Sequence, residues 1–469
     1  MIGRLALRSL TAHPVRTAVL AAGFGIGVAV MAILLGVAGI VLEQAQAPAL
    51  AGGGDVLIRL SLSTPARLLL SGTLQSDALR PRIRTAAASH TTDLYLLHDD
   101  GTATRVWAHG GIPSLERALS DPETANAAAW SDTAADTSWV NASPDVVLRL
   151  LDRFHGVPDA PAWANSWAEW LYFNGRSNEA SFYLTFLVGP KTATGTRTAG
   201  VRLQIERPPS PGGFGGASRM ESFTGRAELS EAEASRAPDL TIGGSSVTLD
   251  GMRYRLHLDV QDARGRKAIG DLSLEATAGR LVPPIEITGA RGWRTGYVVP
   301  VMSGRLDGAL DVDGARVSFD NGRGYHDHNW GFWQGVSWQW GQAQQGDLSV
   351  IYGRVFPPPD AADPDTIPGF VGVLGPDGPL GYSTDVRITE ENDARGQPRV
   401  ITVRARGSAL DLDLRFDVAS AVTTHMAQGP LANGIDFLQL RGQYTVSGRT
   451  GSREIKFTAP GAAETFRGN

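Results

Sequence analysis

The sequence predicts a mainly β protein, with two consecutive sets of antiparallel strands, each of barrel or sandwich form, behind one N-terminal transmembrane helix. Three observations predict it. No charged residue occurs from Thr17 to Leu42. Past residue 140, short strand-like runs recur between turn residues and fall into two successive sets. Glycine (56) and proline (27) are abundant, and that many turn formers suits short strands with many reversals better than long helices.

At 469 residues the chain is too long for one ordinary core, so two or three domains are expected. Pattern changes divide it into an anchor (1–50), an extracytoplasmic spacer (51–140), a first β domain (141–295) and a second (296–469). Hydrophobic residues make up 42% and charged residues 19%, which makes the chain globular rather than disordered. The net charge of −5 is spread along the length without a basic stripe, so no nucleic-acid partner is expected. The chain has no cysteine, which excludes disulfides, a catalytic thiol and thiolate metal sites.

The uncharged run at the N-terminus is 26 residues long (42 − 17 + 1). At about 1.5 Å per residue it can cross a hydrocarbon core of roughly 30 Å with some tilt. Arg4, Arg8 and Arg16 precede it, and Glu43 and Asp55 are the nearest charges after it. The positive-inside rule then places the N-terminus in the cytoplasm and the bulk outside, as in a single-pass protein of a bacterial inner membrane. The alternative is a cleaved signal peptide, for which Ala45-Gln46-Ala47 supplies small residues. Gly23 and Gly27 form a small-xxx-small pair of the kind that lets helices approach closely in lipid.

In the spacer, Tyr95-Leu96-Leu97 reads as a short strand and Ser114 to Leu119 as a short helix. Pro144 to Phe154 has the apolar spacing of an amphipathic helix. Trp167 to Gly175 and Ser181 to Gly189 read as two strands joined by a polar turn at Arg176 to Glu179. Val201 to Glu206, Ser246 to Leu249, Tyr254 to Val260 and Leu272 to Ala276 complete the first set, with a flexible loop at Pro208 to Gly216. The second set begins after Gly296, with strands such as Arg305 to Val312, Val336 to Gln342, Leu348 to Val355, Leu410 to Phe416 and Gln443 to Ser447.

One tract stands apart. From Tyr325 to Trp340, six of 16 residues are aromatic (Tyr325, Trp330, Phe332, Trp333, Trp338 and Trp340), against 7% for the chain. His326 and His328 lie within it. In an extended segment His326, His328 and Trp330 share one face, and Asp327 and Asn329 the other. Three readings are open. The two histidines could supply metal ligands, although no third ligand is evident nearby. The polar side chains could satisfy a buried turn while the tryptophans fill a core. Or the tract could form an aromatic pocket for acid–base chemistry on a large apolar ligand, where burial keeps a carboxyl protonated and indole faces stabilise a developing cation. No cofactor is expected.

Two resemblances bear on this choice. Leu5 to Leu10, His13 to Thr17, the glycine-rich helix and Gly52 to Leu57 resemble the start of FtsX-like permease subunits of ABC exporters. That likeness implies a permease-type anchor and an exporter permease as partner. Gly324-Tyr325-His326-Asp327-His328-Asn329-Trp330-Gly331, followed by Trp338-Gln339-Trp340-Gly341, resembles the signature of the carotenoid 1,2-hydratase (hydroxyneurosporene synthase) family. That family shares a two-barrel, lipocalin-like fold with AttH-like proteins. The second resemblance covers roughly residues 140–460 and implies two lipocalin-like barrels, with the motif in the second. It also implies hydration or cyclisation of an isoprenoid double bond, with His326, Asp327, His328 and Trp330 at the catalytic site. A downstream tyrosine and acid complete the family's set. Tyr352 matches the tyrosine, while Arg354 stands where the acid is sought and Asp347 lies nearby. Tyr325, Trp333, Trp338 and Trp340 would hold the substrate. The alternative function is a non-catalytic lipid carrier working with an ABC exporter.

Overall fold

The computed structural model describes Val15 and residues 80–97, 103–119, 131–134, 136, 143–207, 219–376, 378–426 and 435–467. The apolar run Thr17–Leu42, the segment Gly52–Leu57 and the loop Pro208–Gly216 lie outside these. Among the described residues no helix is long and apolar enough to cross a membrane.

The chain divides into two compact units. The first, ending at Asn141, contains an antiparallel hairpin of β1 (Ser89–Leu97) and β2 (Ala103–Gly111), followed by the short helix α1 (Pro113–Ala118). The second, from Ala142 onward, contains helix α2 (Pro144–Leu151) and two large antiparallel sheets.

The first sheet is built from β3 (Trp167–Arg176), β4 (Ser181–Lys191), β5 (Arg197–Arg207), β6 (Arg219–Leu229), β7 (Leu240–Ile242), β8 (Ser245–Asp250), β9 (Arg253–Gln261), β10 (Lys267–Glu275), β11 (Val282–Thr288), β12 (Arg294–Val312), β13 (Ala315–Ser318) and β14 (Gly322–Phe332). A short helix α3 (Glu231–Ala234) follows β6 and begins with a capping box from Ser230 to Glu233. Pairing runs β9-β10-β12-β14-β3-β4-β5-β6 and returns to β9 through Thr224 opposite Gln261, so the sheet closes into a barrel. Its lumen is filled by side chains that include Leu171, Phe173, Phe186, Leu203, Phe223, Tyr254 and Leu258. At the β12–β13 hairpin, Asp313 and Gly314 both have positive φ (55° and 83°), as a two-residue turn of this twist requires.

The second sheet contains β15 (Ser337–Gln345), β16 (Leu348–Phe356), β17 (Phe370–Gly375), β18 (Gly378–Ser383), β19 (Asp385–Asn392), β20 (Pro398–Arg406), β21 (Leu410–Met426), β22 (Ile435–Thr450) and β23 (Arg453–Arg467). Its order is β18-β17-β16-β15-β23-β22-β21-β20-β19, so the two edge strands are consecutive in the chain. Side chains link the edge strand β18 to other strands of the sheet. Ser383 Oγ donates to Arg406 O (2.6 Å), and Thr450 Oγ1 donates to Leu380 O (2.7 Å). The sheet is therefore a nearly closed barrel. Strand β20 alternates buried Ile401, Val403 and Ala405 with more exposed neighbours, the pattern of a wall with one wet face.

The expected architecture of two antiparallel β sets therefore stands, but the boundary between them moves. Residues 296–332, expected to open the second barrel, belong to strands that complete the first. There β12 pairs with β10, and β14 inserts between β12 and β3. The histidine motif is thus a wall strand of the first barrel. The correction has a physical cause: closing a barrel joins strands far apart in sequence, and no local pattern records that pairing.

Strand β3 is buried on both faces, from Trp167 to Gly175. Leu171 and Phe173 fill the first lumen, whereas Trp170 and Tyr172 belong to a cluster that also holds Trp340, Ile351 and Phe466 of the second sheet. The outer face of the first barrel therefore packs against the outer face of the second. Packing at β12 is equally tight. Gly296 lies opposite Trp330, and a Cβ at position 296 would run into the indole. Replacing Gly296 with alanine is expected to displace Trp330 and destabilise the fold by about 1–3 kcal/mol, read as a lower denaturant midpoint.

Candidate functional site

The expected two-faced reading of 325–330 corresponds to two different environments. The even-numbered residues point away from the space between the barrels. His326 and His328 are fully buried, and neither lines a cavity. The His326 ring stacks on Phe173 (centroids 4.1 Å apart, 7° between planes). Its Nδ1 lies 2.9 Å from Tyr172 O and its Nε2 lies 2.8 Å from Asp152 Oδ2. Asp152 caps the end of α2 and also accepts the Tyr254 hydroxyl (2.5 Å).

His328 follows the same plan with a different carboxylate. Its Nδ1 lies 2.9 Å from Leu151 O, and its Nε2 lies 2.9 Å from Glu169 Oε1. Burial lowers the affinity of its ring for a proton, but the hydrogen bond and charge of Glu169 outweigh this, and its pKa ends above the usual histidine value. Glu169 is buried too. Burial pushes its pKa up, but hydrogen bonds and charge from His155 and His328 more than offset this, so it lies below the ordinary value. Trp330 stacks on His155 (4.3 Å, 23°). The two histidines of the motif thus fasten α2 and the segment after it to the barrel wall.

The odd-numbered face turns to the space between the barrels, where there is a cavity of about 1190 Å³. The first barrel contributes Trp170, Tyr172, Tyr183, Leu187, Tyr297, Asp327 and Asn329. The second contributes Trp338, Trp340, Val355, Phe370, Gln439, Glu464 and Phe466. The volume is somewhat above the roughly 300–1,000 Å³ of ordinary small-molecule sites, and the lining surface is mostly apolar. Trp338 stacks on Phe466 (4.0 Å, 8°), which fixes one wall.

Of the four carboxyl groups that line this cavity, Glu228, Glu286, Asp327 and Glu464, two are buried, Asp327 from the first barrel and Glu464 from the second. Asp327 accepts hydrogen bonds from Tyr325 Oη (2.9 Å, to Oδ2) and Asn329 Nδ2 (2.7 Å, to Oδ1). Burial, together with the nearby charge of Glu464, holds its pKa well above the carboxylate range despite those bonds. Glu464 sits on β23 opposite Trp340 of β15. Burial raises its pKa to about 7, against hydrogen bonds from Tyr172, Gln439 and Trp338. Its Oε1 is buried with no hydrogen-bond partner among the described residues. A chain of donors surrounds the pair: Trp340 Nε1 donates to Tyr297 Oη (2.8 Å), which lies 2.6 Å from Tyr325 Oη. Burial raises the pKa of the Tyr172, Tyr297 and Tyr325 phenols well above the usual value, so all three stay neutral.

Of the residues singled out from sequence, Asp327, Trp333, Trp338 and Trp340 line the cavity, and Tyr325 supports Asp327 from behind. His326, His328 and Trp330 do not line it, for the packing reasons given above. Tyr352 does not either: it points into the second lumen, where it accepts a hydrogen bond from Tyr444 Oη (3.3 Å). Asp347 is exposed in the β15–β16 turn, and its backbone carbonyl accepts from Arg280 Nη2 (3.0 Å). Arg354 lines the cavity, and so does Glu464, a carboxyl that lies further down the chain. Glu464, Tyr172 and Tyr297 were missed. For Glu464 a signal existed, since it is the lone carboxylate in the apolar run Ala462 to Phe466 of the last strand.

No protein-family model matches this sequence, and no curated protein does. Among solved structures, the chain is similar to a protein designated AttH from Nitrosomonas europaea. That pair has 14% identity and a TM-score of 0.44, over 67% of this chain and 99% of the other. It is also similar to kievitone hydratase from Nectria haematococca, at 15% identity and a TM-score of 0.42, over 68% of this chain and 94% of the other. A third similar structure is CghA with Sch210972, at 11% identity and a TM-score of 0.41, over 70% of this chain and 96% of the other.

Proposed function

We propose that this protein adds water to, or cyclises at, an isolated double bond of a large apolar isoprenoid, by acid–base catalysis in the cavity between its two barrels. The observation that carries the reading is a pair of buried carboxyl groups, Asp327 and Glu464, facing a large aromatic cavity from opposite barrels. Burial holds both carboxyls toward their protonated form, and the charge of Glu464 adds to the effect at Asp327. Glu464 Oε1 has no hydrogen-bond partner among the described residues, so a proton carried there is not tied up by the protein.

In this mechanism the alkene π pair takes the proton from Glu464 and a tertiary carbocation forms on the more substituted carbon. The faces of Trp340 and Tyr172 stabilise the positive charge. A water molecule then attacks the cation, and its surplus proton returns to the carboxyl pair, so the net change is addition of one water. If a second double bond of the same ligand attacks instead of water, a ring forms and a proton is lost to the pair. The apolar run at residues 17–42 would tether the protein to the membrane in which such a ligand dissolves, with the barrels on the extracytoplasmic side.

The direct test is incubation of the purified protein with acyclic carotenoids and shorter prenyl compounds, followed by mass spectrometry. The expected result is a product heavier by one water, or an isomer of unchanged mass. Turnover of no member of the panel, with a lipid co-purifying unchanged from native membranes, would overturn catalysis. It would favour a lipid carrier working with an ABC exporter.

A further inference from the structure

The geometry points to a divalent metal site at His155, Glu169 and His328, on the side of β14 away from the cavity and apart from the proposed chemistry. One ligating atom from each of these three side chains lies within 4.8 Å of the other two. The rings converge on a single oxygen: Glu169 Oε1 is 2.7 Å from His155 Nδ1 and 2.9 Å from His328 Nε2. Two imidazoles and one carboxylate form a set that suits Zn²⁺, which commonly takes water as its fourth ligand.

The surroundings are those of a metal-binding histidine. His328 Nδ1 faces Leu151 O, a carbonyl that can only accept, so Nδ1 keeps its hydrogen and Nε2, beside Glu169, is the nitrogen that would meet an ion in exchange for its own proton. Metal-ligating histidines are oriented by this kind of backbone contact on the far nitrogen. The Glu169 carboxylate is held in place by the backbone N–H of His155, which reaches both of its oxygens at 3.0 Å. Trp330 packs over both rings, with centroids at 4.3 Å and 5.2 Å. The His155 side chain is 23% exposed, which gives an ion a way in.

His326 makes the contrast. Its carboxylate partner, Asp152, receives a tyrosine hydroxyl on the oxygen that faces His326, and its other oxygen lies 3.7 Å from His328 Nδ1, the nitrogen committed to Leu151 O, so that arrangement is a clamp.

The test uses the full chain, stripped with a chelator and titrated with ZnCl₂ by calorimetry, and with Co²⁺ by visible absorption. One equivalent of Zn²⁺ is expected to bind and to raise the melting temperature, and Co²⁺ is expected to show the d–d bands of four-coordination. His155→Ala removes a partly exposed ligand and should weaken Zn²⁺ binding by about 100-fold or more while the chain still folds. His257→Ala, which removes an exposed histidine paired with Asp271, should bind as the parent does. Absence of stoichiometric binding to the parent chain would overturn the site, as would a His155→Ala variant that binds as tightly as the parent.

Discussion

Replacing His328 with alanine is expected to destabilise the fold by about 3–5 kcal/mol, the range for removing one partner of a buried, hydrogen-bonded ion pair. The loss comes from what is left behind. Glu169, buried and ionised, would lose the ring 2.9 Å from its Oε1, and Leu151 O would lose its donor. Both contacts hold the end of α2 against β14. Equilibrium urea unfolding should therefore show a midpoint far below that of the parent, and far-ultraviolet circular dichroism should show loss of structure on mild warming. If His328 were instead the catalytic base at the cavity, His328→Ala would fold as the parent does and lose only turnover. A parental unfolding midpoint would sink the structural assignment. His326→Ala should behave in the same way, because Asp152 and Tyr254 depend on that ring.

Replacing Glu464 with glutamine is expected to have the opposite signature, with turnover lost and the fold strengthened. Glutamine keeps the shape but cannot give a proton, and a missing general acid lowers kcat by roughly 10²–10⁴-fold. The stability change follows from linkage. Burial raises the folded-state pKa of Glu464 to about 7, above the usual glutamate value of 4.5. A carboxyl raised in this way contributes stability that is fully present below about pH 4.5 and is lost as the pH rises through about 7. At pH 8 the parent therefore carries a buried charge that Glu464→Gln lacks. The variant should be more stable there by on the order of a few kcal/mol and should match the parent at pH 4. Unfolding midpoints at the two pH values measure the difference. A parent whose stability is flat between pH 5 and 8 would contradict the burial of Glu464.

The limits of the sequence reading follow from the same residues. Period-two alternation correctly separated His326, His328 and Trp330 from Asp327 and Asn329, because it depends only on extended backbone. Which face meets a cavity depends on what covers it. One face is covered by α2 and its neighbours, the other by the second sheet, from strands that begin after residue 336. Since β14 and its neighbour β3 are buried on both sides, composition could not tell a lumen from a pocket wall. Histidine drew attention as a titratable residue, yet here each ring is fully committed to partners. Glu464 lies far from the motif in sequence, and only the pairing of β23 with β15 brings it beside Trp340. Strand positions were more legible, because turn residues and β-rich runs are local. Barrel closure is not local, and for that reason the boundary near residue 296 fell inside the first sheet.

The cavity is walled by the outsides of two barrels whose lumens are packed with side chains. Its acidity is therefore a joint property that neither half owns. Expressed separately, each half would present one carboxyl to bulk water, where Asp327 and Glu464 would titrate like ordinary surface acids. Mixing the halves would restore proton-donating power only as far as they re-associate. The site behaves in this respect like the interface of a heterodimer whose subunits are joined by a short covalent tether, and a few ångströms of slippage between them would switch the chemistry off without unfolding either one.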